Sequence, residues 1–191
     1  WPFFSFLYLY TFETIRVLYG TQWDLAIPLV KILCIAGIFV PITLFSESLF
    51  IACGKPDITL KIQIISNSVK LSLVLLASFH SLEAVCLALV GYFFTRVIAV
   101  SFYANKILNI SFLDILILCR QALPCLFAMI VPTMIAAYLM ENNIESIYLR
   151  FFALASIAAI GWLAGLALSN HPFYEEIKII FRRFVPTKSS V

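Results

Sequence analysis

The chain has 191 residues, of which 63% are hydrophobic and 12% charged, and its formal net charge is +3. Its mean hydropathy is +1.03, whereas soluble globular domains contain roughly 25% charged residues. This composition excludes a soluble core as the main location of the apolar residues and indicates an integral membrane protein. The apolar runs are too long for barrel strands, so the predicted fold class is all-α.

Six apolar segments predict six transmembrane helices, over about Pro2–Tyr19, Leu25–Ala52, Ile58–Phe79, Ala84–Ala104, Ile115 or Cys119–Met140, and Tyr148–Leu168. The second segment would be about 42 Å long, which exceeds the roughly 30 Å hydrocarbon slab. We therefore expect this helix to tilt, bend or break, with Pro41, one turn after Gly37, as the expected place. Pro124 and Pro132 predict kinks in the fifth helix, which a short interfacial helix over residues 110–118 would precede.

The connections carry turn and pairing signals. Cys53-Gly54-Lys55-Pro56-Asp57 predicts a tight turn in which Asp57 caps the next helix. Glu13 and Arg16 lie one turn apart and are expected to pair. Residues 1–108 would thus hold four membrane helices, 109–170 a connection and two more, and 171–191 a basic tail.

Basic residues are distributed unevenly between the two predicted sides of the membrane. The loops after the first, third and fifth helices carry only Arg16 and Arg150. The other side carries Lys55, Lys61, Lys106, Arg120, Lys178, Arg182, Arg183 and Lys188. The positive-inside rule therefore predicts a cytoplasmic C-terminus, with both ends of the chain on that side.

Four ionisable residues lie inside predicted spans, where a charge costs several kcal/mol unless it has a partner or water. Lys31 is near enough to a helix end to reach the interface, and Glu47 is expected to pair with Lys55 or Lys61. Lys70 and Arg96 lie more than two turns from the nearest helix end.

Lys70 belongs to a polar stripe on the third predicted helix. The helical period places Thr59, Gln63, Ser66, Asn67 and Lys70 on one face, while Ile62 and Ile65 point elsewhere. On the fourth helix Tyr92, Thr95, Arg96 and Tyr103 share a side. One interpretation is a cationic, hydrated substrate cavity formed by Lys70, Asn67, Ser66, Gln63 and Arg96, which would attract an anionic substrate. The alternative is interhelical hydrogen bonding, with the cations paired to an acid on an upstream segment.

Other sites are not indicated. The five cysteines lack metal-ligand spacing, and His80 and His171 stand alone, so neither a metal nor a cofactor is expected. No arrangement of nucleophile and base indicates catalysis. The basic tail is better explained by anionic membrane lipids than by nucleic acid. Gly161-x-x-x-Gly165 predicts close helix packing.

Three ordered motifs carry a family resemblance: Leu18-Tyr19-Gly20-x-x-Trp23, Ala26-x-Pro28-Leu29-x-x-Ile32-Leu33, and Ala52-x-Gly54-Lys55-Pro56-Asp57. Together they resemble the polysaccharide transporter family, the O-antigen and colanic acid type flippases of the multidrug/oligosaccharidyl-lipid/polysaccharide exporter superfamily. The resemblance covers about Pro2 to Leu108, and beyond that only helix count and hydropathy agree.

The resemblance implies a two-lobed fold of twelve to fourteen helices in a bacterial inner membrane, of which this chain would be the last six. Such proteins carry polyprenyl-diphosphate-linked oligosaccharide to the outer leaflet by alternating access. The chain begins Trp1-Pro2 without an initiator Met, so we expect a fragment whose partners include missing N-terminal helices of the same protein.

Three other functions stay open. A cation-coupled multidrug exporter of the same superfamily would favour deep carboxylates, and Glu47 is the only one predicted. A membrane polysaccharide polymerase or ligase would need a sizeable outer loop, and the predicted outer loops are short. A non-catalytic structural membrane subunit would tolerate Leu in the polar stripe.

Overall fold

The computed structural model describes residues 1–109, 111–141 and 146–169, and these are helical with no strand among them. In these ranges the helices are α1 (Pro2–Leu9), α2 (Thr11–Leu18), a 3₁₀ segment (Thr21–Ala26), α3 (Ile27–Ala52), α4 (Pro56–Ser78), α5 (Leu82–Leu108), α6 (Phe112–Glu141) and α7 (Ile147–Leu168). The predicted all-α fold class is confirmed. The predicted tail over 171–191 lies outside the described residues.

Five helical stretches in the described ranges are long and apolar enough to cross a membrane: Thr21–Ala52, Pro56–Ser78, Leu82–Ile107, Ala122–Met140 and Ile147–Leu168. They indicate a multi-pass membrane protein. Each matches a predicted helix to within a few residues, because an uninterrupted apolar run has to be helical throughout in lipid.

The predicted first crossing helix is not confirmed. The chain breaks at Tyr10, whose φ of −111° and ψ of 33° are not helical, and α1 and α2 are only 8 residues each. The Thr11 hydroxyl donates to the carbonyl oxygens of Leu7 at 2.5 Å and Tyr8 at 3.0 Å. Such side-chain bonds compete with the backbone ladder, which gives a physical reason for a break where hydropathy alone predicts none.

The helix α3 runs through Pro41 without interruption, so the predicted weak point is part of one continuous helix. Pro41 has no N–H to donate to the carbonyl of Gly37. The segment before Pro41 is where α1 packs: the Phe4 ring contacts the position of Gly37, and Trp1 Nε1 donates to the carbonyl of Ile38 at 2.8 Å. Glycine at position 37 leaves the room that the Phe4 ring occupies.

The turn between α3 and α4 is the tight turn that the sequence predicts, and Gly54 lies just after the end of α3. Gly54 has a φ of +69°, and the N–H groups of Gly54 and Lys55 donate to the carbonyls of Ile51 and Phe50, both at 3.0 Å. This pair of bonds is the Schellman arrangement. The prediction that Asp57 caps α4 is wrong, because Lys55 holds the cap position without a side-chain bond. Asp57 lies in the first turn, where a carboxylate favours the positive end of the helix dipole.

The chain falls into two compact units, one extending from Phe3 to Leu118 and one from Cys119 onward. In the first unit Arg16 is joined to Asp24 of the 3₁₀ segment by two bonds, at 3.0 and 2.6 Å. The predicted pairing of Arg16 with Glu13 stays a prediction.

In the second unit α6 and α7 approach closely. A Cβ atom at Gly161 would lie 2.5 Å from the carbonyl oxygen of Ala128, and one at Gly165 would lie 2.8 Å from the Cα of Cys125. The packing role predicted for these two glycines is confirmed. The prediction of a separate interfacial helix over 110–118 is wrong for its described part, because residues 112–118 are the beginning of α6.

Candidate functional site

Three helices of the first unit build the candidate site. The helix α5 packs along both α3 and α4, which touch each other over a smaller stretch. Near the α3–α4 turn the three helices share an apolar core formed by Phe50, Ile62, Val100 and Ala104, each at most 3% exposed. This core fixes the rotation of each helix and so decides which polar side chains meet farther along α5.

Tyr92 on α5 is the centre of the polar group and is only 3% exposed. Lys70 Nζ on α4 lies 5.5 Å from the centroid of its ring. Arg96, one turn along α5, has its Cζ atom 6.0 Å from the same centroid, and its Nη1 donates to the Tyr92 hydroxyl at 2.7 Å. The two deep cations, from separate helices, therefore meet at one aromatic ring, whose electron-rich face attracts positive charge.

Glu47 on α3 completes the group by forming an ion pair with Arg96 Nη2. The side chains of Arg96 and Glu47 are 14% and 24% exposed. We call the residues Glu47, Lys70, Tyr92 and Arg96 the Tyr92 cluster. Its members come from α3, α4 and α5 and lie within three of the stretches that can cross a membrane.

This ion pair corrects two expectations. Glu47 pairs with Arg96 and not with the predicted Lys55 or Lys61, because α3 packs against α5 at this level. The acid that neutralises Arg96 is supplied by this chain, whereas the helix-gluing interpretation expected it on an upstream segment. The charge of Arg96 is thus partly satisfied, although its Nε is buried without a hydrogen-bond partner among the described residues.

Lys70 is exposed and has no ion pair within the part of the chain that the structure describes. At about 1.5 Å per residue it lies about 20 Å from the start of α4 and about 12 Å from its end. A lysine at that depth needs water, an anion or another partner. In the Tyr92 cluster two cations face one carboxylate, so the cluster carries one positive charge in excess.

The residues of the predicted polar stripe on α4 divide into a packed edge and an accessible edge. Thr59 and Ser66 are 7% and 5% exposed, Gln63 is half-buried, and Asn67 is exposed like Lys70. Ile62, which periodicity directs away from the stripe, is 3% exposed and belongs to the apolar core. Asn67 and Lys70 therefore form the accessible edge, whereas Ser66 faces the helix packing.

Sequence reasoning singled out Lys70 and Arg96 but omitted Tyr92 and Glu47 from the site. The spacing of Tyr92 and Arg96 by four residues places both on one helix face, and this signal was available. No signal in the sequence identified the partner of Glu47, because a carboxylate near two lysines in sequence gives no information about a neighbouring helix.

No group of three or more histidine, cysteine or carboxylate side chains suited to a metal occurs in the described ranges. Chemically, the Tyr92 cluster offers an exposed ammonium, a guanidinium held by a carboxylate, and an aromatic ring. Ammonium and guanidinium groups are donors for phosphate and carboxylate oxygens, and the guanidinium can bind them through two parallel bonds.

No family model, curated protein or solved structure matches this chain.

Proposed function

We propose that this chain is part of a membrane flippase that translocates polyprenyl-diphosphate-linked oligosaccharide by alternating access. One observation carries the proposal: Lys70 and Arg96, from two helices, lie within 6.0 Å of the Tyr92 ring centroid, inside stretches able to cross a membrane. An excess of positive charge within a membrane-spanning stretch is unfavourable in lipid and needs water, a partner or a bound anion. The diphosphate of the lipid carrier is an anion of that kind.

In this proposal the accessible edge of α4 holds the polar end of the substrate. Lys70 binds one phosphate, Arg96 the other, and Asn67 offers its amide to sugar hydroxyls. Gln63 and Ser66 lie nearer the packed face and support α4. In the two-lobed architecture that the family resemblance implies, further helices would form the opposite wall of a site between two lobes that rock about the membrane midplane.

The proposed location is a bacterial inner membrane with a cytoplasmic C-terminus. The uneven distribution of basic residues supports this location. The break at Tyr10 leaves that distribution unchanged, because Arg16 still precedes α3 in the chain and lies toward its N-terminal end. The six-crossing and two-lobed architecture also belongs to the proposal, as does the assignment to the polysaccharide transporter family.

A second candidate is a non-catalytic structural membrane subunit, and the Glu47–Arg96 ion pair favours it. An interhelical pair stabilises helix packing without any ligand. The two candidates differ at Lys70, which has no such partner in the described chain. The third candidate, a cation-coupled exporter, is less supported, since the deep carboxylate that it needs is already paired.

The test uses the full-length protein with Lys70→Ala and Arg96→Ala, measured by surface polysaccharide export at matched protein levels. Lys61→Ala is the matched control, because Lys61 is an exposed lysine of the same helix outside the Tyr92 cluster. We expect both cluster variants to lose most export and the control to retain it. Normal export by Lys70→Ala at a normal protein level would reject the proposal in favour of the structural subunit.

A further inference from the structure

Tyr92 is the buried centre of the Tyr92 cluster and has no role in the substrate binding proposed above. Its side chain is only 3% exposed. The hydroxyl accepts a hydrogen bond from Arg96 Nη1 at 2.7 Å, and Lys70 Nζ lies 5.5 Å from the ring centroid. The roles of the hydroxyl and of the ring can be separated, because phenylalanine at position 92 keeps the ring beside Lys70 and removes only the hydroxyl.

The guanidinium of Arg96 is held at both of its terminal nitrogens. Nη2 is ion-paired with Glu47 on α3, and Nη1 donates to the Tyr92 hydroxyl on α5. A guanidinium is planar and rigid, so attachment at two points fixes the orientation of its plane. Without the hydroxyl, the bond to Glu47 would be left as the single attachment, and the plane could turn about it.

We propose that Tyr92 is a positioning residue that acts through Arg96, by fixing the guanidinium in the orientation that binds the anionic group of the substrate. This inference rests on the proposed function. Orientation matters because a guanidinium binds phosphate oxygens through bonds of fixed direction. The buried Nε of Arg96, which has no hydrogen-bond partner among the described residues, is a donor that remains for the substrate. A group that is already oriented loses less freedom when the ligand binds, and this raises the affinity.

The test measures the dissociation constant of farnesyl diphosphate for the purified full-length protein in detergent. We expect Tyr92→Phe to raise this constant by about tenfold, through the loss of one hydrogen bond to a charged group. The melting temperature of each variant without ligand shows that it is folded.

Two backgrounds distinguish positioning of Arg96 from a general disturbance of the site. In a background of Glu47→Gln with Arg96→Gln, Tyr92→Phe should leave the dissociation constant unchanged, because no guanidinium is left to orient. In a Lys70→Gln background it should still raise the constant by about tenfold, because the hydrogen bond to Arg96 is intact there. A merely structural role of the buried tyrosine would weaken binding in both backgrounds.

The first background removes both charges of the ion pair, so that neither is left without its partner. If the two glutamines prevent folding, Glu47→Leu with Arg96→Met serves as the same background. Equal weakening by Tyr92→Phe with and without Arg96 would overturn the inference, since the hydroxyl would then act by another route.

The failure of this inference is distinguishable from failure of the proposed function. If Lys70→Gln weakens binding of farnesyl diphosphate whereas Tyr92→Phe does not, the role of Tyr92 alone is lost. If Lys70→Gln leaves binding unchanged, the Tyr92 cluster is not the substrate site, and both proposals fail.

Discussion

Arg96 on α5 is ion-paired with Glu47 on α3, and the pair joins the two helices within the stretches that are able to cross a membrane. Both residues belong to the Tyr92 cluster, in which Lys70 on α4 approaches the Tyr92 ring. The ion pair of Glu47 and Arg96 should affect the stability of the protein, whereas the charge of Lys70 should affect ligand binding. The two effects can be measured separately.

Loss of one member of the ion pair should destabilise the protein more than loss of both. Arg96→Met leaves Glu47 charged and without Arg96, and we expect a cost of about 2–3 kcal/mol, below the 3–5 kcal/mol of fully buried pairs because both side chains are partly exposed. Glu47→Leu combined with Arg96→Met should recover most of that cost, since neither charge is then left in an apolar setting. Denaturant titration in mixed micelles measures the difference, with Lys61→Gln as the control. Equal costs for the single and double variants would contradict the pairing.

The close approach of α6 and α7 should make Gly161 and Gly165 intolerant of a methyl group. In each case the added Cβ meets backbone atoms of α6, which have no alternative rotamer, so the helices must separate. We expect Gly161→Ala and Gly165→Ala each to cost about 1–3 kcal/mol, the range for overpacking. The unfolding free energy in detergent is the measurement.

Gly91→Ala is the matched control for these substitutions. Gly91 is also within a helix, and nothing lies within 4 Å of its would-be Cβ. There we expect a gain of roughly 0.5–1 kcal/mol from lower backbone entropy in the unfolded chain. Because alanine favours the helix more than glycine does, a loss at Gly91 equal to that at Gly161 would show that the cost at Gly161 does not come from its close contact with α6.

Water should reach position 70. A thiol reacts as its thiolate, which needs an aqueous setting, so Lys70→Cys should be modified by a membrane-impermeant maleimide within minutes. Leu71→Cys is the control: Leu71 is 62% exposed but points to a different side of α4, where lipid is expected. The measurement is mass-shift labelling in proteoliposomes, in a Cys53→Ser background. Similar slow labelling at both positions would indicate that Lys70 contacts protein or lipid and not a hydrated site.

The orientation can be tested with a native residue. Cys53 is exposed in the α3–α4 turn, whereas Cys34, Cys86 and Cys125 are buried. The positive-inside rule predicts that this turn is cytoplasmic, so an impermeant maleimide should label Cys53 in inverted vesicles and not in intact cells. His80→Cys in a Cys53→Ser background, with its cysteine in the opposite turn, should show the reverse pattern. Labelling of Cys53 in intact cells would invert the proposed topology.

Hydropathy and local chemistry were sufficient to predict much of the fold. The five long helices follow from apolar runs that have no alternative structure in lipid. Gly54 ends α3 because the turn needs a positive φ, and Gly161 and Gly165 mark a helix contact because only glycine admits another backbone so closely. Each of these features has a signal that can be read from a residue and its immediate neighbours in the chain.

The tertiary structure alone decided which polar groups meet. Periodicity placed Lys70 and Arg96 on polar faces, but the partner of Arg96 and the position of Tyr92 depend on how three helices are rotated and staggered. The apolar core of Phe50, Ile62, Val100 and Ala104 fixes that rotation. The break at Tyr10 was hidden for a similar reason, because hydropathy counts Thr11 as mildly polar and not as a competitor for the backbone carbonyls of Leu7 and Tyr8. The sequence by itself therefore determined the helices and their punctuation, whereas packing between helices determined the candidate site.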